Sequence, residues 1–256
     1  INKKTKKFKN YKFKNFEDKA ISQIGRELYQ AFIKGYTQKQ WGKSPKYLPE
    51  SIFNRLPIRY SYNEDYYPQI QFQGIPKGGY TEIFKNLLKN KNIKIKFNES
   101  FKLNYKIKPK YLTIYTGPLD SLLNYKFGKL EWRSLVFKKQ SKNIRDYQGS
   151  AVMNYPDLKD KYTRIHEPKH LHPERKSFES KSTLIIKEYS VKNDKEPYYP
   201  INDEKNRIKH RKYKVEVSKI KKFDFGGRLA DYAYYDMDMT ISAALKKFEQ
   251  IKKKIR

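Results

Sequence analysis

The chain contains no cysteine among its 256 residues. It therefore has no disulfide, no thiolate metal ligand and no cysteine nucleophile. It also has no apolar run of the roughly 18 residues that a membrane-spanning helix needs, and its first residues lack the apolar core of a signal peptide. From these absences we expect a cytoplasmic protein that owes its stability to a packed core.

Several short motifs of nucleotide and ester chemistry are also missing. The sequence has no GxxxxGK[ST] phosphate loop and no GxSxG nucleophile elbow. It also has no GxGxxG turn, which a chain that binds a dinucleotide by itself is expected to carry after an early strand. The sequence therefore predicts no complete dinucleotide site of that type within these 256 residues.

Basic residues are abundant, with a net charge of +31, yet only 11 of the 58 Lys and Arg residues are arginine. The lysines are spread singly over every segment, which is more typical of a solvated surface than of a nucleic-acid footprint. No zinc-finger spacing, basic region with heptads or RNP-like signature accompanies them. We expect no nucleic-acid partner, although a basic binding module stays the alternative that salt-dependent RNA or DNA binding would support.

Residues 223–245, FDFGGRLADYAYYDMDMTISAAL, have the pattern of a ligand-binding loop. Phe223 and Phe225 alternate as in a short strand, and the following glycine pair lets the backbone turn or lie against a flat ligand. A helical stripe of apolar residues begins at Ile241, and Asp236 or Asp238 is its predicted N-cap. An ordinary strand, turn and capped helix is the alternative interpretation of this stretch.

The first 75 residues predict helices and an aromatic loop. A basic tail, 1–14, precedes a helix that starts at an Asn15/Asp18 capping pair and ends at Gly35. Residues 34–42 are predicted as a loop whose two large rings either stack on a flat ligand or join the core. A second short helix covers 48–56, where Arg55 and Arg59 are candidates for a phosphate clamp or for surface ion pairs.

The middle of the chain predicts one more helix and then mainly strands. The helix covers 81–88. Alternating or continuous apolar runs bounded by turn residues predict two separate strands, 93–97 and 111–118. Four further strand-like runs predict an antiparallel sheet inserted between mixed segments: 132–137, 151–155, 162–166 and 183–189.

Three histidines, His166, His170 and His172, lie close together in RIHEPKHLHPER. A catalytic zinc site needs three ligands that converge on one point, and a strand interrupted by a proline does not ensure this convergence. We therefore predict no metal site.

A set of longer motifs, taken in order, resembles the bacterial UDP-galactopyranose mutase family over residues 20–245. The motifs are KGYTQKQWG, RLPIRY, QFQGIPKGGYT, IYTGPLD, LEWRS, YTRIHEPKH, EPYYPIN and FGGRLADYAYYDM. The family's amino-terminal stretch, with the GxGxxG turn that holds the ADP part of FAD, is not matched. The resemblance implies a mixed α+β fold with a helical substrate domain, an antiparallel sheet domain and the C-terminal part of an FAD-binding α/β domain, without that domain's N-terminal Rossmann motif.

On this resemblance the chain divides into five segments. We expect a tail at 1–14, part of the helical substrate domain at 15–75, and FAD-domain elements at 76–120. An antiparallel substrate sheet at 121–205 and a C-terminal FAD-domain segment at 206–256 follow.

The resemblance implies an isomerase that interconverts UDP-galactopyranose and UDP-galactofuranose by covalent catalysis through N5 of reduced FAD. Its product would serve galactofuranose-containing cell-surface glycans. Arg55, on a mobile lid, and Arg164, on the sheet, would stabilise the diphosphate as catalytic residues. Further substrate contacts are implied for Tyr36, Trp41, Tyr66, Asn154, Tyr198 or Tyr199, and Tyr234.

The same resemblance implies that the cofactor FAD contacts Gly226, Gly227, Arg228, Tyr234, Asp236 and Met237, with the positive end of the following helix at the flavin. The intact protein is expected to be a homodimer. Because the ADP-binding half of the site is not matched, we expect these 256 residues alone to bind FAD weakly or not at all and to show negligible mutase activity. A non-catalytic remnant is the further alternative.

Overall fold

The computed structural model describes residues 13–55, 58–59, 61–63, 67, 70–105, 109–192 and 196–255, with only the backbone for Asn54, Arg55, Lys254 and Ile255. These residues form a mixture of helices and sheets, which confirms the predicted α+β class. Two compact units are present, the first formed by residues 1–99 and 136–189 and the second by 100–135 and 190–256. The finer division into five segments stays a prediction.

Helices near the amino terminus build one side of the first unit. Helix α1, Phe16–Leu28, begins at the predicted N-cap, where the side chain of Asn15 accepts a hydrogen bond from the backbone N–H of Asp18. A π-helical segment, Tyr29–Lys34, leads directly into helix α2, Gly35–Trp41. Two 3₁₀ helices, Pro45–Tyr47 and Glu50–Arg55, replace the predicted second helix. Apolar side chains of these elements form the core: Phe16, Ala20, Tyr29, Leu48 and Phe53.

Two predictions for this region are wrong. Gly35 does not end a helix, and residues 35–41 are a helix where a loop was predicted. Gly35 is buried, and an added Cβ would lie 2.2 Å from the carbonyl oxygen of Pro156. The glycine therefore serves close packing. The helix ends at Gly42, which has a left-handed conformation (φ 65°) and donates to the carbonyl of Gln38.

An antiparallel sheet forms the other side of the first unit. Its strands are β2, Trp132–Lys142, β3, Val152–Asn154, β4, Arg164–His166, and β5, Thr183–Val191, in the order β3-β4-β5-β2. The four strands predicted in this part of the chain are confirmed. Helix α3, Tyr80–Leu87, is also confirmed.

The second unit contains two small pieces of sheet and three helices. Strand β1, Thr113–Tyr115, pairs in parallel with β7, Phe223–Phe225. Strand β6, Tyr199–Pro200, pairs with the first two residues of β2. The helices are α4, Leu119–Leu122, α5, Glu204–Ser218, and α6, Met237–Ile255.

A core of apolar side chains holds the second unit together. Trp132 packs edge-on against Tyr232, with ring centres 4.8 Å apart. Tyr213 is fully buried, and its hydroxyl accepts from the N–H of Phe127 and donates to the carbonyl of Gly128. These contacts fix α5 against residues 127–128 and the 227–235 loop against the start of β2.

The predicted strand at 93–97 is wrong. Ile93, Ile95 and Phe97 are all exposed, and the described residues include no strand that pairs with them. Alternation predicts a strand only where a neighbouring strand can accept its hydrogen bonds. None of the described helices is long and apolar enough to cross a membrane.

Candidate functional site

Asn154, Arg164 and Glu188 lie side by side across three strands of the first unit. Asn154 is the register partner of Arg164, which in turn is the register partner of Glu188. Directly opposite residues of an antiparallel pair project from the same face of a sheet. The register therefore forms a polar row of an amide, a guanidinium and a carboxylate across β3, β4 and β5.

Arg164 is held from two sides. Its Nε lies 3.4 Å from Oε1 of Glu188, whose side chain is only 3% exposed. Its Nη2 donates to the hydroxyl of Tyr36 on α2, and its Cζ lies 5.7 Å from the centre of that ring. The arginine side chain is still 27% exposed. The pair thus presents a fixed positive group and a phenol to a ligand in solvent.

The buried carboxylate of Glu188 organises this end of the sheet. Oε2 lies 2.9 Å from Nε2 of His166, and Oε1 accepts from the hydroxyl of Thr163 at 3.2 Å. With Arg164 the carboxylate has three polar partners, as a buried anion requires. Sequence analysis missed Glu188, because only the strand register shows that it faces Arg164.

Lys39 is the second residue that sequence analysis missed. Its Nζ lies between 2.6 and 2.9 Å from four backbone carbonyl oxygens of the β3–β4 hairpin, those of Tyr155, Asp157, Asp160 and Tyr162. Burial lowers the pKa of Lys39 from its usual value, and the charges of Asp160 and Asp157 oppose that shift. Lys39 lies in the motif KGYTQKQWG, but nothing in the sequence indicates that its side chain contacts the hairpin.

Trp41, like Tyr36 an implied substrate contact, is the last residue of α2 and packs partly against the core of the first unit. Arg55 ends the second 3₁₀ helix, and its side chain lies outside the described part of the chain. Tyr66 also lies outside the described residues. The lid and phosphate roles predicted for Arg55 and Tyr66 stay predictions.

In the second unit, Arg228 contacts four tyrosines. Tyr198, Tyr199 and Tyr234 were predicted as substrate contacts, and Tyr235 follows Tyr234 in the chain. Its guanidinium donates to the backbone carbonyls of Tyr198 and Tyr235. Its Cζ lies 4.9 Å from the ring centre of Tyr234 and 5.8 Å from that of Tyr199. The rings of Tyr199 and Tyr234 stack at 5.1 Å with 23° between their planes. The result is a flat aromatic pair with a guanidinium against it.

The remaining predicted cofactor residues flank this aromatic layer in the chain. Gly226 donates to the carbonyl of Tyr115, and Gly227, at φ 89°, donates to the carboxylate of Asp231. Asp236 immediately precedes α6, and Met237 is its first residue. Asp238 lies inside the first turn of α6, so Asp236 is the residue at the N-cap position. The arrangement fits a flat, partly anionic ring system, because aromatic faces, a cation and a helix N-terminus occur within ten residues.

The three neighbouring histidines have separate carboxylate partners. His166 contacts Glu188, His170 lies 3.3 Å from Asp146, and His172 lies 3.1 Å from Glu174. They therefore do not converge on one point.

A cluster of Asp146, Glu167 and His170 does bring three possible ligand atoms together, two from carboxylates and one from an imidazole. Glu167 is fully buried, and its oxygens accept from the N–H groups of residues 147 and 148 and from the hydroxyl of Thr183. This carboxylate anchors the loop between β2 and β3.

Comparison with known proteins gives a consistent relationship. The family model for UDP-galactopyranose mutase matches residues 31–234. A probable UDP-galactopyranose mutase of Klebsiella pneumoniae is 43% identical over 90% of this chain and 59% of its own length. The dTDP-fucopyranose mutase of Escherichia coli is 37% identical over 91% of this chain and 62% of its own length. The UDP-galactopyranose mutase of Mycoplasma genitalium is 34% identical over 89% of this chain and 60% of its own length.

The chain spans about three fifths of the length of the curated relatives it matches. The family match covers α2, the β3–β4 hairpin and residues 227–234, and so includes Arg164, Glu188, Arg228 and Tyr234 but ends before Asp236 and Met237. The chain belongs to the UDP-galactopyranose mutase family.

Proposed function

We propose that this chain forms the substrate-binding and flavin-contacting part of a mutase that interconverts UDP-galactopyranose and UDP-galactofuranose. The observation that carries the proposal is the Tyr36–Arg164 pair beside Asn154, since it provides a fixed cation and polar groups on one exposed sheet face. The product would enter galactofuranose-containing cell-surface glycans.

Arg164 has the geometry for the diphosphate. Departure of UDP from the sugar concentrates negative charge on the phosphate oxygens, and a guanidinium already held by Glu188 and Tyr36 stabilises that charge without reorganising. Arg55 would supply a second cation. Tyr36 and Trp41 lie on one helix and would contact the uridine, remote from the reacting carbon.

The second unit would hold the isoalloxazine end of FAD against Arg228, Tyr234 and the N-terminus of α6, with Gly226 and Gly227 at the turn. Reduced FAD supplies the nucleophilic nitrogen for covalent catalysis. Arg228 is already fixed by two carbonyls, and the 19-residue helix α6 directs its partial positive charge toward its first turn. Both groups favour an anionic ring edge.

The choice of nucleotide is a separate part of the proposal. Two of the relatives above are named for UDP-galactopyranose and one for dTDP-fucopyranose. We propose UDP, because the matching family model is that of UDP-galactopyranose mutase and a probable UDP-galactopyranose mutase is 43% identical, against 37% for the dTDP-fucopyranose mutase. Competition of UDP and dTDP for the site distinguishes the two.

Two alternatives are not favoured. A nucleic-acid module would place arginines together on one open face, whereas Arg207 and Arg211 on α5 both pair with Glu204. A non-catalytic remnant would not be expected to retain a buried Glu188 carboxylate paired with Arg164.

The test compares the 256-residue chain with the same chain extended by whatever coding sequence precedes it. FAD content and conversion of UDP-galactofuranose are measured with dithionite as reductant. We expect the extended protein to be yellow and active, and the 256 residues alone to bind FAD weakly and to turn over negligibly. An extended protein that neither binds FAD nor converts the sugar would contradict the proposed activity, and stoichiometric FAD binding by the 256 residues would contradict the prediction for the shorter chain.

A further inference from the structure

Lys39 connects the two elements that hold the proposed nucleotide site. Tyr36 lies three residues before it on α2, and Asn154 and Arg164 lie at the two ends of the hairpin whose carbonyls surround its Nζ. Residues three apart on a helix are neighbours on its surface. The ammonium group and the phenol therefore approach the same hairpin from the same helix.

The number of acceptors makes this contact unusual. An ammonium group has three N–H donors, and here four carbonyl oxygens lie within 2.9 Å of Nζ. These carbonyls come from both arms of the hairpin and from its turn. A single positive charge thus closes the hairpin on itself as well as against α2, through charge-assisted hydrogen bonds that are stronger than neutral ones.

The packing beside Lys39 has the same effect. Gly35 lies one helical turn before Lys39, and its Cα faces the carbonyl of Pro156 in the same hairpin. Close packing at Gly35 fixes the distance between helix and hairpin, and Lys39 fixes their relative rotation, because four acceptors define one position of the ammonium.

We propose that Lys39 is a positioning residue that sets the Tyr36–Arg164 geometry and thereby the affinity for the nucleotide diphosphate. The ligand in this statement rests on the proposed function. Lys39 donates to the backbone carbonyls of the hairpin, and its effect on binding would therefore pass through Tyr36 and Arg164.

The experiment uses the absence of cysteine from the chain. Lys39→Met removes the charge with little change of volume. Lys39→Cys introduces a single thiol, which 2-bromoethylamine converts to a side chain of the same length as lysine with a terminal ammonium. Lys43, four residues later and exposed, receives the same changes as a matched control.

Two readouts are taken on the 256-residue chain. The first is the Nε–Hε NMR signal of Arg164, assigned by its loss in Arg164→Lys, which reports the pair without any ligand. The second is the dissociation constant for UDP from calorimetry. Circular dichroism and the urea midpoint show whether each variant is folded.

We expect Lys39→Met and unmodified Lys39→Cys to displace the Arg164 signal and to weaken UDP binding at least tenfold. Aminoethylation should restore both in Lys39→Cys, while the Lys43 variants change neither. If Lys39→Met does not fold, Lys39→Gln, which keeps two donors, is judged on the same readouts.

An unchanged Arg164 signal in a folded, neutral Lys39 variant would overturn the inference, as would failure of the attached ammonium to restore the signal. If the unsubstituted chain does not bind UDP at all, the proposed ligand is wrong for these residues, and the Arg164 signal alone decides whether Lys39 positions the pair. The two failures are therefore distinguishable.

Discussion

At the scale of single residues, the proposed site depends on one well-supported arginine. Arg164 lies between a buried carboxylate and a tyrosine hydroxyl, so its orientation is set before any ligand arrives. The arginine was predicted from its motif. Its two supports were not, because Tyr36 was assigned to a loop and Glu188 has no local sequence signal.

Replacement of Arg164 by lysine should weaken UDP binding about tenfold or more, roughly 1.4 kcal/mol. Lysine keeps the charge but loses the planar fork that contacts Tyr36 and Glu188 together with a phosphate. Calorimetry measures the change. Arg145→Lys is the matched control, since Arg145 is exposed and pairs with the exposed Glu179; an equal loss in both variants would contradict a specific role for Arg164.

Tyrosine ionisation gives a pH test of the first unit. Burial raises the pKa of Tyr162 to about 12, with a further contribution from its hydrogen bond to Asp160. A group with a raised pKa contributes stability that is complete below its unfolded value, about 10, and is lost as pH rises through its folded value. The free energy of unfolding should therefore fall between pH 10 and 12.

Absorbance at 295 nm follows this ionisation in the folded chain, with the urea-unfolded chain as reference. Tyr162→Phe should remove one tyrosine from the set that ionises above pH 10. Superimposable titration curves of the folded and unfolded chains would contradict the raised pKa of Tyr162.

At the scale of elements, the join between α2 and the β3–β4 hairpin decides the geometry of the site. The sequence predicted the four sheet strands, because alternating apolar residues show which face is buried. It did not predict α2, because Gly35 and Gly42 both suggest helix ends and only the fold shows that the first serves close packing. It also did not predict the register that places Asn154, Arg164 and Glu188 in a row.

Gly35→Ala tests this join. The new Cβ would overlap the carbonyl oxygen of Pro156, which is backbone and cannot rotate away. We expect destabilisation of about 1–3 kcal/mol, the usual range for overpacking, measured by urea unfolding. Gly74→Ala is the matched control, because an added Cβ there meets no atom within 4 Å. Equal stability of the two variants would contradict the close packing.

At the scale of the whole molecule, the net charge predicts non-specific attraction to polyanions but does not identify the specific ligand. The net charge of +31 predicts attraction to any polyanion at low salt. Specific recognition would survive at physiological salt, whereas attraction by dispersed lysines would not. The family and the α+β class could be predicted from the long motifs, while the division into two units required the folded chain.

A 20-nucleotide single-stranded DNA should therefore bind at 20 mM salt and lose at least tenfold in affinity by 150 mM, as expected from counterion release. UDP should not displace it. Fluorescence anisotropy measures both effects. Tight DNA binding at 150 mM salt that UDP fails to affect would favour the basic binding module over the mutase.

The most direct test of the central claim is calorimetric titration of the 256-residue chain with UDP, followed by the same titration of Arg164→Lys. The account predicts saturable binding of one UDP per chain that is weakened at least tenfold by the substitution. If UDP gives no saturable heat with the folded chain, or binds equally well after the substitution, the proposed nucleotide site at Tyr36 and Arg164 is contradicted.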